Sequence, residues 1–198
     1  MGSNPTFPTM QDKIAIIIPT VNRDTLRRAV DSVLAQTCDN YHIIIVGDGV
    51  MPYVEPSLKI TVMEAPWTGE PGFTRNEGVK CASGFEWIGF LDDDDILNQE
   101  YVEHWAIRKE NDIDILIYKM INRNHVNHTT FIVPNNKRWE YGQVGVNFAI
   151  RKPKFDAVEG FKSMKELGSN EDWDFLDRVN QTGLRKEYLD YVGYVVRP

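Results

Sequence analysis

Four consecutive acids, Asp92 to Asp95, follow the apolar run Phe85 to Leu91. A run so rich in aromatic and aliphatic residues reads as a buried strand, and strands of an open α/β sheet deliver their C-terminal ends to the ligand crevice. The acids therefore stand where a ligand would bind. On a near-extended backbone Asp92 and Asp94 point one way and Asp93 and Asp95 the other, so that two carboxylates converge on either side. Two carboxylates about 4 Å apart repel by roughly 4 kcal/mol at an effective dielectric of about 20. A hard divalent cation is the simplest remedy. Taken alone, the run also reads as a solvated loop leading into a helix near Asn98. An EF-hand does not fit, because Ile96 and Leu97 stand where such a loop needs an oxygen ligand and a glycine. What survives is an Asp-x-Asp element at a strand end, where one carboxylate holds a cation that also grips the phosphates of a nucleotide.

Other residues of chemical interest also sit at element ends. Asp48 follows the strand Tyr41 to Val46, a position that equally suits a turn-former before Gly49. Thr74-Arg75-Asn76-Glu77 has the form of a capping box opening a helix to about Ala82, which puts Arg75 in its first turn. Ser169-Asn170-Glu171-Asp172 repeats that form before a helix over Trp173 to Gln181. There the helix dipole favours a carboxylate and is expected to depress the pKa of Asp172, with a plain helix-cap role as the bland reading. His125 and His128 lie in an Asn-rich turn, where structural roles outweigh a metal site. Trp67 and Trp139 are the aromatic candidates for keeping water out of a site, with rim or core packing as the competing role.

The elements that must position these groups alternate. Lys13 to Pro19 reads as a first strand stopped by Pro19, which cannot donate to a ladder. Leu26, Ala29, Val30, Val33 and Leu34 share one helical face. Lys59 to Met63, Ile113 to Ile121, Thr129 to Val133, Val144 to Ile150 and Tyr191 to Arg197 read as further strands, and Gln99 to Glu110 as a helix. At 198 residues and 42% hydrophobic content the chain is long enough for one sizeable core and too short for two. A formal charge of -7 and a pI near 5.1 argue against nucleic acid as a partner. The longest apolar runs fall far short of a membrane span and no signal-peptide pattern opens the chain, so a soluble, cytoplasmic protein is expected. Cys38 and Cys81 lack a metal or redox spacing and read as reduced. Residues 1–12 read as a flexible lead before one domain over 13–198.

In their order along the chain, IIIPTVNR with its helix and AQT, then IIIVGDG, FTRNEGVKCASG, IGFLDDDD and NEDWDF form a specific set. With them the sequence strongly resembles the GT-A fold glycosyltransferases of the family 2 type, from Ile16 to about Leu176. The resemblance implies a GT-A (Rossmann-like) α/β domain with a mixed, mostly parallel central sheet and helices on both faces. It implies a nucleotide-binding part over 13–95, an acceptor part over 96–198, and an inverting, metal-dependent transfer from a UDP-sugar to a glycan hydroxyl. Carried over residue by residue, Thr20 joins the nucleotide pocket, Asp48 accepts the uracil N3–H and Arg75 helps hold the nucleotide. Asp92 and Asp93 face ribose or sugar hydroxyls, Asp94 ligates Mn²⁺ or Mg²⁺, and Asp172 is the base that deprotonates the acceptor. The sequence departs from the pattern at Val21, where the family often has Tyr, and at Gly47, where it often has a second Asp. It also carries no long extension after the base-bearing helix, so the acceptor site is either small or completed by a partner or a larger parent protein. This minimal outline resembles the glycosyltransferase part of a chlorella virus protein, which would point to virion glycans. A non-catalytic nucleotide-sugar-binding module is the alternative, and the Glu171-Asp172 pair discriminates, since a module needs no base. A sugar-nucleotide pyrophosphorylase would carry a Gly-rich loop where PTVNR stands.

Overall fold

Strands β1 (Ile14–Thr20) and β2 (Tyr41–Asp48) are buried along their whole lengths. Both read as continuous aliphatic runs, as parallel strands covered on both faces require. They pair in parallel, with Ile14 opposite Tyr41 and Thr20 opposite Gly47. Strand β3 (Ile60–Ala65) extends the sheet beyond β2, and β4 (Trp87–Phe90) lies on the other side of β1, both parallel. Helices α1 (Leu26–Leu34) and α2 (Pro71–Cys81) carry two of the crossovers. Helix α2 lies directly on β1 and β2, and the contact depends on Gly78, where a Cβ would come within 2.5 Å of Ile17 Cγ2. The computed structural model describes residues 9–123, 129–135, 142–168 and 170–198.

The second half of the chain adds β5 (Ile96–Leu97), α3 (Tyr101–Arg108), β6 (Ile115–Arg123), β7 (Thr130–Val133), β8 (Phe148–Arg151), α4 (Lys152–Asp156), α5 (Met164–Leu167), α6 (Glu171–Asn180) and β9 (Lys186–Val195). The sheet runs β3-β2-β1-β4-β8-β6-β9-β5, with β7 on β6. Strand β8 joins the halves, antiparallel to both β4 and β6, while β9 runs parallel to β6. This is the expected mixed, mostly parallel α/β sheet over one continuous core. Phe90, Phe148, Phe155, Phe161 and Phe175 form an aromatic cluster in that core, with Phe161 and Phe175 centroids 4.6 Å apart. Because Phe175 belongs to α6, the cluster fixes the start of that helix against the end of β4. Among the described residues no helix is long and apolar enough to cross a membrane, and Cys38 and Cys81 are free thiols.

Several sequence expectations need correction. Pro19 does not stop β1 but sits inside it, opposite Val46. The Ile17 carbonyl accepts from Leu91, so Pro19, two residues on, turns its missing N–H toward the edge where the β4 ladder has already ended. Helix α2 begins at Pro71 rather than Thr74, because a proline loses nothing at a first helical position whose N–H has no partner. Thr74 therefore lies within the helix, and Arg75 is beyond its first turn. Leu34, on the apolar face of α1 by spacing, is 40% exposed. The final strand starts earlier than expected, at Lys186. Ser169, Trp139, His125, His128 and most of the N-terminal lead lie outside the described residues.

Candidate active site

At the C-terminal ends of β1, β2 and β4 opens a cavity of about 460 Å³. Thr20, Asp48, Arg75, Asp92, Asp93 and Asp94 all line it. Each arrives from a different junction: Thr20 ends β1, Asp48 ends β2, Arg75 projects from α2, and the acids follow β4.

The acid run is not extended. Asp95 donates its N–H to the Asp92 carbonyl at 3.1 Å, closing a turn. The alternating pair of carboxylates expected from an extended backbone is thereby replaced by a fan in which each acid meets its own partners. Asp92 accepts from Arg75 Nη2 at 2.5 Å. Asp93 accepts from the Thr20 hydroxyl at 2.6 Å and from Arg23 Nη1 at 2.8 Å. Asp94 meets Arg197 Nε at 3.1 Å, with Arg23 Nη1 at 3.7 Å. Asp95 accepts from the Tyr194 hydroxyl and from the Arg197 N–H, both at 2.8 Å. Burial pushes the Asp95 carboxyl up to about 6, with Asp92 adding to the shift. The Tyr194 hydroxyl also accepts the Asp92 N–H at 3.1 Å, so β9 braces the turn from behind.

Arg75 is a buried hub. Its Nη1 reaches Glu171 Oε1 at 2.9 Å and Asp172 Oδ1 at 3.3 Å, while Nη2 holds Asp92. The guanidinium also stands 5.4 Å from the Phe161 ring centroid. Burial opposes its charge, but Asp92, Asp172 and Glu171 more than offset that, and its pKa is raised. Three carboxylates share this one cation, so the cluster carries surplus negative charge when all are ionised. The surplus appears on α6. Burial pushes the Glu171 carboxyl up to about 7, against the pull of Arg75 and helped by Asp172. Asp172 is raised as well, by burial first, with Arg75 opposing and Asp92 assisting. This corrects the expectation that the helix N-terminus would depress its pKa: burial, with the Asp92 carboxylate nearby, raises it instead. The Asp172 side chain still keeps 41% of its surface exposed, whereas Glu171 keeps 7%. Gly72 makes room for Glu171, since a Cβ there would come within 2.7 Å of Glu171 Oε2.

The shift on Glu171 has a measurable consequence. Its folded pKa of about 7 lies above the ordinary 4.5, so the unfolded chain loses this proton first as pH rises. The associated stability is present below pH 4.5 and is lost as pH approaches 7. Glu171→Gln cannot lose that proton. It should match the parent protein at about pH 4 and exceed it at pH 8 by about 1–3 kcal/mol, at ~1.4 kcal/mol per pKa unit reduced for the coupling to Arg75. Urea denaturation at the two pH values checks this, and a variant less stable at pH 8 contradicts it.

Asp48 is 5% exposed and holds a loop. Its two oxygens accept the N–H groups of Thr68 at 2.6 Å and Gly69 at 2.8 Å. Trp67, just before them and 68% exposed, overlies Gly49, where φ is +68° and a Cβ would approach Trp67 Cβ to 2.7 Å. Asp48 and Trp67 thus stand together on one wall of the cavity. Arg23, Glu171, Tyr194 and Arg197 join the site beyond the residues that the sequence singles out. Arg23 closes the polar turn after β1, and Glu171 stands in the sequence as half of an acidic pair. Nothing in the local sequence marks Tyr194 or Arg197, because their partners lie about a hundred residues away.

These features meet known proteins at several points. The chain is 34% identical over 121 residues to poly(ribitol-phosphate) beta-glucosyltransferase of Bacillus spizizenii, covering 54% of this chain and 19% of that protein. It is 31% identical over 103 residues to the succinoglycan biosynthesis protein ExoW of Rhizobium meliloti, covering 46% of this chain and 32% of the relative. The chain thus spans a third or less of the length of these two relatives. The crystal structure of S. aureus TarS 1-349 in complex with UDP-GlcNAc superposes with a TM-score of 0.73 at 22% identity, over 93% of this chain and 58% of that one, a likeness of fold. Residues 15–166, from the start of β1 past the acid turn to α5, match glycosyl transferase family 2, and the chain belongs to that family.

Proposed function

We propose that this domain transfers a sugar from a UDP-sugar to a hydroxyl of a glycan or similar acceptor, with inversion at the anomeric carbon. The observation that carries the reading is the Arg75 hub. It ties Asp92 of the acid turn to Asp172 of α6, so that a donor-binding wall and a candidate base meet at one place. Residues 13–95 form the nucleotide half in this reading, and 96–198 the acceptor half. The TarS neighbour's complex with UDP-GlcNAc supports the donor class.

Each side chain then has a task. Asp48 Oδ1 accepts the N–H and the hydroxyl of Thr68 and Oδ2 the N–H of Gly69, which leaves a lone pair on Oδ2 that suits the uracil N3–H. Trp67 shields that wall from water. Thr20 holds Asp93 in place, and the two with Asp92 face ribose or sugar hydroxyls. Arg75 can offer the nucleotide only the donors its three carboxylates leave. Asp172, partly exposed and with its pKa raised, takes the proton of the acceptor hydroxyl. As the acceptor oxygen bonds to the anomeric carbon, the bond to the β-phosphate oxygen breaks and the electron pair leaves with UDP. Asp92 and Arg75 set Asp172 at its place relative to the donor.

A divalent cation fits this site in a limited sense. Among the described residues no cluster of three or more His, Cys, Asp or Glu could hold a metal by itself. Asp94 is the acid whose carboxylate meets only solvent-exposed arginines, whereas Asp92, Asp93 and Asp95 are bound by buried groups. A single carboxylate suits Mn²⁺ or Mg²⁺ that takes its other ligands from phosphates and water. When bound, the cation supplies Lewis-acid neutralisation of the leaving diphosphate. The expected result is that calorimetric titration shows UDP binding that weakens at least tenfold with EDTA, and weakens similarly in Asp94→Asn with cation present. Equal affinity with and without EDTA contradicts the cation assignment. Absence of any UDP binding contradicts the donor class. The cytoplasmic setting proposed for it follows from its short apolar runs, and the role in virion glycans from the resemblance.

A further inference from the structure

Arg197 follows β9, and its side chain lines the same cavity as the acid turn. Its Nε stands 3.1 Å from Asp94 Oδ2, an oxygen that Arg23 Nη1 approaches to 3.7 Å. The backbone that delivers it is closely specified. The φ of Arg197 is +44°, in the left-handed region that a side chain disfavours. Its N–H is held at 2.8 Å by the buried carboxylate of Asp95, whose other oxygen takes the Tyr194 hydroxyl. Arg28 clamps the next residue, donating from Nη1 to the Pro198 carbonyl at 2.8 Å and from Nη2 to the Asp94 carbonyl at 2.9 Å. Two anchors, Asp95 of the acid turn and Arg28 of α1, therefore hold the backbone from which this guanidinium reaches the cavity.

Pairing with Asp94 does not account for that arrangement. The Arg197 side chain is 58% exposed and Arg23 54%, and ion pairs so open to water contribute less than a left-handed backbone costs. Strain held by convergent contacts beside a cavity points to a ligand. The charges indicate which. A nucleoside diphosphate entering here brings several negative charges toward Asp92, Asp93 and Asp94. Of the arginines lining the cavity, Arg75 is buried among its own three carboxylates, whereas Arg23 and Arg197 are the exposed ones.

We propose that Arg197, assisted by Arg23, is the arginine that binds the β-phosphate of the nucleoside diphosphate, exchanging Asp94 for phosphate oxygens as the ligand enters and leaving the Asp94 carboxylate to the cation. This inference rests on the UDP reading above. The planar fork of a guanidinium matches phosphate oxygens in pairs, and an ammonium does so less well. The exchange also explains why two cations crowd a carboxylate assigned to a metal: in the empty site they neutralise it, and in the filled site they neutralise the diphosphate.

The test compares UDP with UMP, which differ by the β-phosphate alone, by calorimetric titration with Mg²⁺ present. The parent protein should bind UDP more tightly than UMP. In Arg197→Ala, UDP affinity should fall about 10- to 100-fold, the range for a charge-assisted contact, while UMP affinity changes less than about 3-fold, so the preference for UDP collapses. Arg197→Lys should recover part of that preference, and it serves as the second variant should Arg197→Ala not fold. An unchanged UDP preference in both variants overturns the proposal. Parallel loss of UDP and UMP binding also overturns it, since that would give Arg197 a purely structural role. A parent protein that binds neither nucleotide fails at the UDP reading itself, and the inference fails with it.

Discussion

Arg75→Met is expected to destabilise the protein by about 3–5 kcal/mol, the usual cost of removing one partner from a buried ion cluster. Methionine keeps the volume but withdraws the single cation shared by Asp92, Glu171 and Asp172. Those carboxylates are then left near one another without the cation between them. For a domain of this size the loss corresponds to a fall in melting temperature of about 6–20 °C. The loss should be largest at alkaline pH. It should shrink as pH falls toward 5, because protonating the orphaned carboxylates removes the charge that Arg75 had neutralised. Thermal denaturation between pH 5 and 8 measures this. A loss below about 1 kcal/mol at pH 8 would show that the carboxylates do not depend on Arg75.

Asp172→Asn should act on turnover instead. Asparagine retains the size and one acceptor oxygen facing Arg75, so the hub and the start of α6 keep their geometry. It cannot take a proton, and loss of a general base lowers rate by about 10² or more. Stability should change little, and the sign is set by the raised pKa: a carboxylate that burial disfavours is not missed when a neutral amide replaces it. UDP affinity should hold, since Asp172 reaches the acid turn only through Arg75. Sugar transfer, melting temperature and UDP titration on the same preparation separate these outcomes, and turnover close to that of the parent would place the base elsewhere.

Much of the scaffold is legible locally. Continuous aliphatic runs mark β1 and β2 as buried parallel strands, and the apolar face of α1 emerges from spacing alone. Strand ends also point to Asp48 and Asp92 to Asp94, and the family resemblance to Thr20, all of which the fold gathers around one cavity. Local reading falters where a partner far along the chain decides. The acid run looks extended until Thr20, Arg75, and Tyr194 with Arg197, from three different segments, pull its carboxylates apart around a turn. Pro19 looks like a terminator until the short length of β4 leaves its missing N–H without consequence. The helix dipole suggests a depressed pKa for Asp172, a local argument that the buried cluster of like charges overrides. Glu171 and Arg197 share the same cause: each draws its significance from a residue roughly a hundred positions distant.

The central claim is that this cavity holds a UDP-sugar and that Asp172 drives transfer from it. Release of UDP from a panel of UDP-sugars, with Mn²⁺ present, by the parent protein and by Asp172→Asn side by side tests it most directly. The account predicts release from at least one UDP-sugar by the parent and a loss of about 10² or more in the variant, with UDP affinity preserved. Equal release by both proteins, or none from any UDP-sugar by a parent protein that binds UDP, would contradict it.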